Sequence, residues 1–453
     1  GTLYLNGYHG VATDNKIFAD GDLNIKVESD SSFTTSTTAA GNLYGIRADG
    51  GTLNIFGTGK LTVTANGRGN VYGISAKEGV TISAPLAVKV GKNSPTENGP
   101  VYGIHAQSGT ISLSGNDMTV TATGGTENAY GVYNEAQTSS SAADSSNITI
   151  SGNLTVNLSN GKQNRGISSQ GGDITLNGAT VKILGNYRYG IFNLNGNVDI
   201  KSSPDVELTS TTQSGEGICT YDGGNLTIEN STVKVSANGF PADIKGNVSI
   251  QNSTVELTLT SDNYEVIKTG NSNTANTIDL SGSGSVTLTA PDKQEYAMIG
   301  GKVTATPGTK VEKGTYNSEW KNYKGEYDSA NNKTVLKFVH DAPALTANIS
   351  LDKTGTVDFG SAEAGYTAAP AAETVIITNS GTAATGPLTI ALDDATNFTL
   401  SKDNISDIAA NSTDTFTVQP NIGLPAGIYT ATVKVSGTGV TEQSFTVKFT
   451  VTA

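Results

Sequence analysis

"LYGIRADGG" at residues 43–51 returns as "VYGISAKEG" at 71–79 and "VYGIHAQSG" at 101–109. A chain that rewrites one short apolar step at nearly regular intervals carries the signature of a repeat architecture, in which each unit buries its apolar face only by stacking on the next. The step places its aliphatic residue at Val11, Ile46, Ile74, Ile104, Val132, Ile167, Ile191 and Ile218, with degenerate successors at Ile244, Ile267 and Ile299, roughly 23 to 35 residues apart. Each unit adds a second alternating stretch, such as "ITL" at 174–176 and "LTI" at 226–228, and a third, such as "VKI" at 181–183 and "VEL" at 206–208. Apolar–polar–apolar alternation marks strands with one buried face. Three short strands per unit predict an all-β fold, a right-handed parallel β-helix of about ten coils spanning residues 1–342.

Two polar columns fit that winding. Lys182, Glu207, Lys234 and Glu256 fall at one outward position of the third strand, so opposite charges stack about 4.8 Å apart. Asn147, Asp173, Asn197, Asn225 and Asn247 share the position ahead of the second strand, as side chains that hydrogen-bond at a stacked turn would. The glycine of the repeated step, from Gly45 to Gly217, reads as a bend entering the first strand where only glycine takes the required torsion. Residues following the aliphatic position, namely Arg47, Ser75, His105, Tyr133, Ser168, Phe192, Cys219, Lys245 and Lys268, are read as facing outward. The tyrosines Tyr44, Tyr72, Tyr102 and Tyr130 admit two readings. Simple alternation turns them inward as an internal stack, whereas a bend at the glycine flips them to solvent.

Residues 310–340, with Tyr316, Trp320, Tyr323, Tyr327 and Phe338 around "DSANNKT", read as a hairpin cap that covers the open edge of the last coil. The opening "GTLYLNG" begins directly in a strand, which predicts a cap upstream. After "HDAPALTA" the coil pattern gives way to longer strands, setting a domain boundary near residue 343.

Composition limits the function classes. With 28 basic and 41 acidic side chains the net charge is -13, which opposes nucleic acid and anionic lipid surfaces as partners. A single cysteine, Cys219, excludes an internal disulfide. No apolar run approaches the length of a membrane span, and the first residue is not Met, so the expectation is an extracellular or surface segment whose signal peptide has been removed. His9, His105 and His340 are scattered without ligand spacing, so zinc chemistry finds no support, and His105 reads as an exposed polar residue.

Binding is favoured by where the large polar and aromatic side chains fall. All four arginines, Arg47, Arg68, Arg165 and Arg188, lie in the first strand or the loop leading into it. Arginine forks grip carboxylates and aromatic faces stack on sugar rings. Tyr133, Tyr187, Phe192 and Tyr221 join them as surface candidates, with "NEAQTSSSAADSS" at 134–146 as a wall along one side. Asp199, Glu216, Asp222 and Asp243 occur in neighbouring coils but read as lying on different faces, and the turns hold mostly Asn and Thr, so calcium is doubtful and no cofactor is expected.

"YGI" followed by "GGTLNI" or "GGNLTI" resembles the β-helical carbohydrate-binding and adhesin-like proteins of bacterial surfaces. "LDKTGTVDFGSAEAGYTAAPAAETVIITNSGT", "FTVQPNIGLPAGIYTATVKVSG" and "SFTVKFTV" resemble, over about 110 residues (343–453), the Hydin-type immunoglobulin-like β-sandwich modules of secreted and surface proteins. Together these resemblances imply a secreted or surface-displayed protein that binds a polysaccharide or host glycan without turnover. A polysaccharide lyase or glycoside hydrolase in the same groove is the enzymatic alternative, although the Gly-His-Gly and Arg-x-Lys motifs of polygalacturonase-like hydrolases are missing. A passive stalk or protein–protein adhesin is the third reading.

Overall fold

A computed structural model describes residues 1–14, 17–135, 146–261, 265–270, 277–281, 283–291, 299–300, 302–305, 309–313, 315–317, 322–324, 326–328, 333–340 and 347–453. The chain is all-β and divides into two units, Gly1–Ala342 and Pro343–Ala453.

Unit one is a parallel β-solenoid. Strands recur in threes, and each strand pairs with its counterpart one coil on, giving sheets of 12, 14 and 11 strands. The sheet formed by the repeated step, in which Leu43–Ala48, Val71–Ala76, Val101–Ala106 and Ala129–Asn134 are successive strands, has 11 strands and is called here the tyrosine sheet. Inward side chains from all three sheets fuse into one continuous aliphatic core that runs from Leu5 to Phe338. Each buried Val, Ile or Leu contributes about 1.5–3 kcal/mol, which no single coil gathers in sufficient number to offset its ordering entropy.

Corners are as regular as strands. Between the second and third strands, Gly178 (φ 69°), Ser202 (φ 49°), Asn230 (φ 49°) and Asn252 (φ 48°) each supply a single left-handed residue that turns the chain. Just inside that corner the N–H of Ser203 donates to Ser231 Oγ at 3.0 Å and that of Ser231 to Ser253 Oγ at 3.1 Å. Ahead of the second strand the expected ladder is present. Asn147 Oδ1 accepts from the N–H of Asp173 at 2.8 Å, Asp173 from Asn197 at 2.8 Å, Asn197 from Asn225 at 3.0 Å, and Asn225 from Asn247 at 2.8 Å. Asn247 then accepts from Thr277 at 2.9 Å. The charge column is also in register, with Lys182 reaching Glu207 at 3.1 Å and Lys234 reaching Glu256 at 3.8 Å.

The repeated glycine acts differently from the sequence expectation. None of Gly45, Gly73, Gly103, Gly131, Gly166, Gly190 and Gly217 has a left-handed φ. What excludes a side chain is space: a Cβ on Gly73 would lie 2.4 Å from Val88 Cγ1 and 2.7 Å from the Gly103 carbonyl oxygen. Val71, Ile74 and Ala76 belong to the core, and the Cβ direction of Gly73 also points into it. Two successive inward positions, Gly73 and Ile74, break the alternation and flip Tyr72 to the outer face. The tyrosines therefore stack outside the coil, as the second reading has them, but through two successive inward positions and not through a glycine torsion.

Two further register expectations are corrected. Val11 pairs with Thr34 in the third-strand sheet and is 81% exposed, while Ile17 pairs with Ile46 and fills the first inward position. Ala242, not Ile244, pairs with both Ile218 and Ile267, so Asp243 rather than Lys245 follows the inward residue.

At the C-terminal end Lys333–His340 runs antiparallel to Gly284–Pro291 and to Thr309–Lys313, with Phe338 buried opposite Val286, and Thr315–Asn317 pairs with Asn322–Lys324. Trp320 lies outside the described residues. Unit two holds a four-stranded and a five-stranded sheet, antiparallel except where Thr356–Glu363 runs parallel to Val440–Thr452. Residues of both sheets, among them Val375, Phe416, Val433, Phe445 and Phe449, share one core.

Candidate functional site

Register on the tyrosine sheet creates two outward columns. The first reads Tyr44, Tyr72, Tyr102, Tyr130, Arg165, Tyr189 and Glu216, and the second Phe18, Arg47, Ser75, His105, Tyr133, Ser168, Phe192, Cys219, Asp243 and Lys268. In the first column the four tyrosine rings lie face to face, with centroids 4.5, 4.7 and 4.9 Å apart and planes within 10°. The coil rise of a parallel sheet matches aromatic stacking distance, so the backbone enforces the stack. Ring faces are therefore consumed within the ladder, and the hydroxyls of Tyr44 and Tyr130 accept from the side-chain amides of Asn42 at 3.4 Å and Asn128 at 3.2 Å. Burial pushes the Tyr72 phenol up to about 12 and Tyr102 higher still, so these phenols are neutral donors.

In the second column, beside the tyrosine stack, lies His105. Only 2% exposed, it is corrected from a solvent-facing residue to a buried one packed against Tyr72, Tyr102 and Tyr133. Its Nδ1 is 3.1 Å from Ser75 Oγ and its Nε2 3.3 Å from Glu135 Oε2, so three successive coils form a Ser–His–Glu chain. The hydrogen bond from His105 holds the Glu135 carboxyl below the usual range. Ser75 is 5% exposed, and the amides flanking it are committed to the parallel ladder. Nucleophile, base and carboxylate are thus aligned, while acyl transfer also needs exposed oxyanion donors.

The remaining candidates separate clearly. Tyr187, expected on the surface, is 0% exposed within the core. The N–H groups of Arg188 and Tyr189 both donate to the Asn164 carbonyl, at 2.8 and 3.2 Å, and this local bulge turns Arg188 outward and Tyr187 inward. Tyr133 and Phe192 are on the outer face but covered by neighbours, at 6% and 5% exposure, whereas Tyr221 is 45% exposed and lies 6.1 Å from Phe192. Gln170 donates to the Tyr133 hydroxyl at 2.7 Å. Arg47 pairs with Asp49 and stacks 4.3 Å from the Tyr44 centroid, closing a shallow depression lined also by Tyr72, Ser75, Lys77 and His105. Arg68 sits before the strand 71–76 and pairs with Glu97 at 3.5 Å. Arg188 pairs with Glu216 at 2.7 Å. Arg165 stacks 4.1 Å from the Phe192 centroid. Of the proposed wall, residues 136–145 lie outside the described residues.

Farther along, Glu216, Cys219 and Asp243 bring ligand atoms within 4.8 Å of one another. The sequence reading placed these carboxylates on different faces; putting Asp243 in the second column unites them. Burial raises both the Glu216 carboxyl and the Cys219 thiol. The carboxylates are already compensated by Arg188, by Lys245 at 2.7 Å from Asp243 and by Lys268 at 3.9 Å. A divalent cation would meet three positive charges, so the cluster suits an internal charge network better than calcium or zinc.

No protein-family model matches the chain, and no curated protein matches it. Among solved structures, the ASH / PapD-like domain of human CEP192 (PapD-like domain 7) aligns at 14% identity over 25% of this chain and 91% of that one, with a TM-score of 0.19, too low to carry an argument.

Proposed function

We propose that the outer face of the tyrosine sheet binds an extended polysaccharide or host glycan without cleaving it. The observation that carries this reading is the pair of adjacent columns, which line up aromatic rings, phenol hydroxyls and guanidinium groups coil after coil along one face. A repeating ligand meets a repeating surface, and many weak contacts add through avidity. Ladder hydroxyls supply hydrogen bonds, while Tyr221 and Phe18, at 45% and 49% exposure, present rings for sugar stacking, with Lys245 5.6 Å from the Tyr221 centroid and Arg47 5.8 Å from that of Phe18. The coil is taken as right-handed, as parallel crossovers overwhelmingly are. Two sheets on a shared core, with the resemblance of residues 343–453, support an immunoglobulin-like sandwich serving display at a bacterial cell surface or in a secreted protein. Net charge supports the exclusion of nucleic acid, and no helix is long and apolar enough to cross a membrane.

The test is retention of the full chain on immobilised plant, bacterial and host glycans, with Tyr221→Ala and Phe18→Ala as variants and reducing-end release measured in parallel. Retention weakened several-fold by either variant, with no new ends, is the expected result; silence on every polymer defeats the reading. One observation favours ester hydrolysis of acyl groups on the glycan, not cleavage of its glycosidic bonds, as a second reading: the Ser75–His105–Glu135 chain. It requires covalent labelling of Ser75 by a fluorophosphonate, and an unlabelled Ser75 removes it.

A further inference from the structure

Arg165 differs from the other three arginines. Arg47, Arg68 and Arg188 are each neutralised by a carboxylate, from Asp49, Glu97 and Glu216. Among the described residues Arg165 has no carboxylate within ion-pair distance. Its Nη1 makes one long contact, 3.4 Å to Ser168 Oγ, and its Nε is buried without a hydrogen-bond partner. Tyr130 and Tyr189 are its register neighbours, so a cation interrupts the phenol column midway along the face. The guanidinium carbon is 4.1 Å from the Phe192 centroid, 5.4 Å from Tyr189 and 5.9 Å from Tyr130.

Stacking on rings occupies the faces of a guanidinium and leaves its N–H edge, which lies in the plane, to an acceptor. Aromatic neighbours hold the plane and lower the local dielectric, while none of them can accept the two parallel hydrogen bonds the fork offers. In a chain of net charge -13, such an uncompensated fork on the most decorated face is a local positive site that selects for an anionic group on the ligand. A planar carboxylate matches the fork in two bonds; a tetrahedral sulfate or phosphate shares the charge but not the plane.

We infer that Arg165 is the subsite for a sugar carboxylate, and that the ligand class is a polysaccharide bearing uronic acids. Resting on the binding reading above, the inference places the carboxylate at the N–H edge of Arg165, beside the Phe192 stack, with the adjoining sugars reaching toward Tyr221 and the Tyr130 hydroxyl.

The experiment compares the full chain and its Arg165→Lys and Arg165→Gln variants on polygalacturonate, alginate, dextran sulfate, and neutral dextran, mannan and galactan. Arg165→Lys keeps the charge and loses the fork; circular dichroism confirms that each variant folds. Expected are preferential retention of the two uronate polymers by the parent, a loss of tenfold or more in Arg165→Gln, and a smaller loss in Arg165→Lys. Uronate binding by Arg165→Gln equal to the parent overturns the inference. So does sulfated polymer bound as well as uronate, which assigns the site to charge alone. Retention of neutral polymers only overturns the inference and leaves the binding reading intact, whereas retention of none removes both.

Discussion

Replacing Gly103 by alanine probes the packing that sets the tyrosines outside. A Cβ there would sit 2.2 Å from Val120 Cγ1 and 2.5 Å from the Gly131 carbonyl oxygen, against an ordinary contact of about 3.4 Å or more. Val120 is wholly buried, and the carbonyl belongs to the next coil. Relief therefore requires the neighbouring strand to move. Overpacking of this kind costs roughly 1–3 kcal/mol, a weakened ladder hydrogen bond adds about 1, and reduced freedom of the unfolded chain returns about 0.4–1. The net expectation is about 1–3.6 kcal/mol of destabilisation, read from urea unfolding followed by circular dichroism, with loss of the stacked-tyrosine near-ultraviolet signal. Gly91→Ala is the control, since its nearest neighbours would lie at 3.3 and 3.4 Å, and it should stay within about 1 kcal/mol of the parent. Adding Val120→Ala to Gly103→Ala should recover at least about 1 kcal/mol relative to the sum of the single changes. A Gly103→Ala protein within about 0.5 kcal/mol of the parent, tyrosine signal intact, would refute the steric account.

Three other outcomes follow from the same geometry. Asn225→Ala removes the acceptor for Asn247 and the side-chain amide donor to Asn197, while the backbone donor to Asn197 remains, so it should cost roughly 1–3 kcal/mol in the same assay, whereas Asn225→Asp, which keeps the acceptor, should cost less. Burial raises Tyr72 and Tyr133 to about 12, while phenols of an unfolded chain ionise near 10. Between those values the unfolded state sheds protons that the fold retains, so stability is unaffected below pH 10 and falls as pH rises toward 12, by at most about 3 kcal/mol per ring; absorbance titration at alkaline pH checks it, and phenols all titrating near 10 would contradict it. Cys219 is buried with its thiol pushed up, so Ellman's reagent should leave the native chain unmodified and react only after unfolding.

The winding was legible because its cause is local and periodic. "ITL" at 174–176 and "VDI" at 198–200 announce strands on their own, and Ile174 indeed faces Val198. Asn197 and Asn225 were readable as a ladder for the same reason: one turn shape, repeated, needs one side chain. What escaped was decided by backbone irregularity. The inward pair Gly73–Ile74 reverses the facing of Tyr72, and only a register between coils reveals it. A bulge at Asn164 sent Tyr187 into the core, although its neighbour Tyr189 stayed outside. Ser75, His105 and Glu135 are each 30 residues apart, and nothing in composition signals that a repeat of that length stacks them. Glu216 and Asp243 met for a similar reason, once Ala242 rather than Ile244 took the inward seat.

Donation along the Asn147–Asp173–Asn197–Asn225–Asn247 series runs one way, each side-chain oxygen receiving the amide of the coil that follows. Every completed turn thus presents a vacant oxygen to the segment synthesised after it. Synthesis proceeds from the N-terminus, at about 5–20 residues per second, so a new coil of this length reaches its template every few seconds. The rod can wind while it is being made, each rung vetting the register of its successor before more chain arrives to compete.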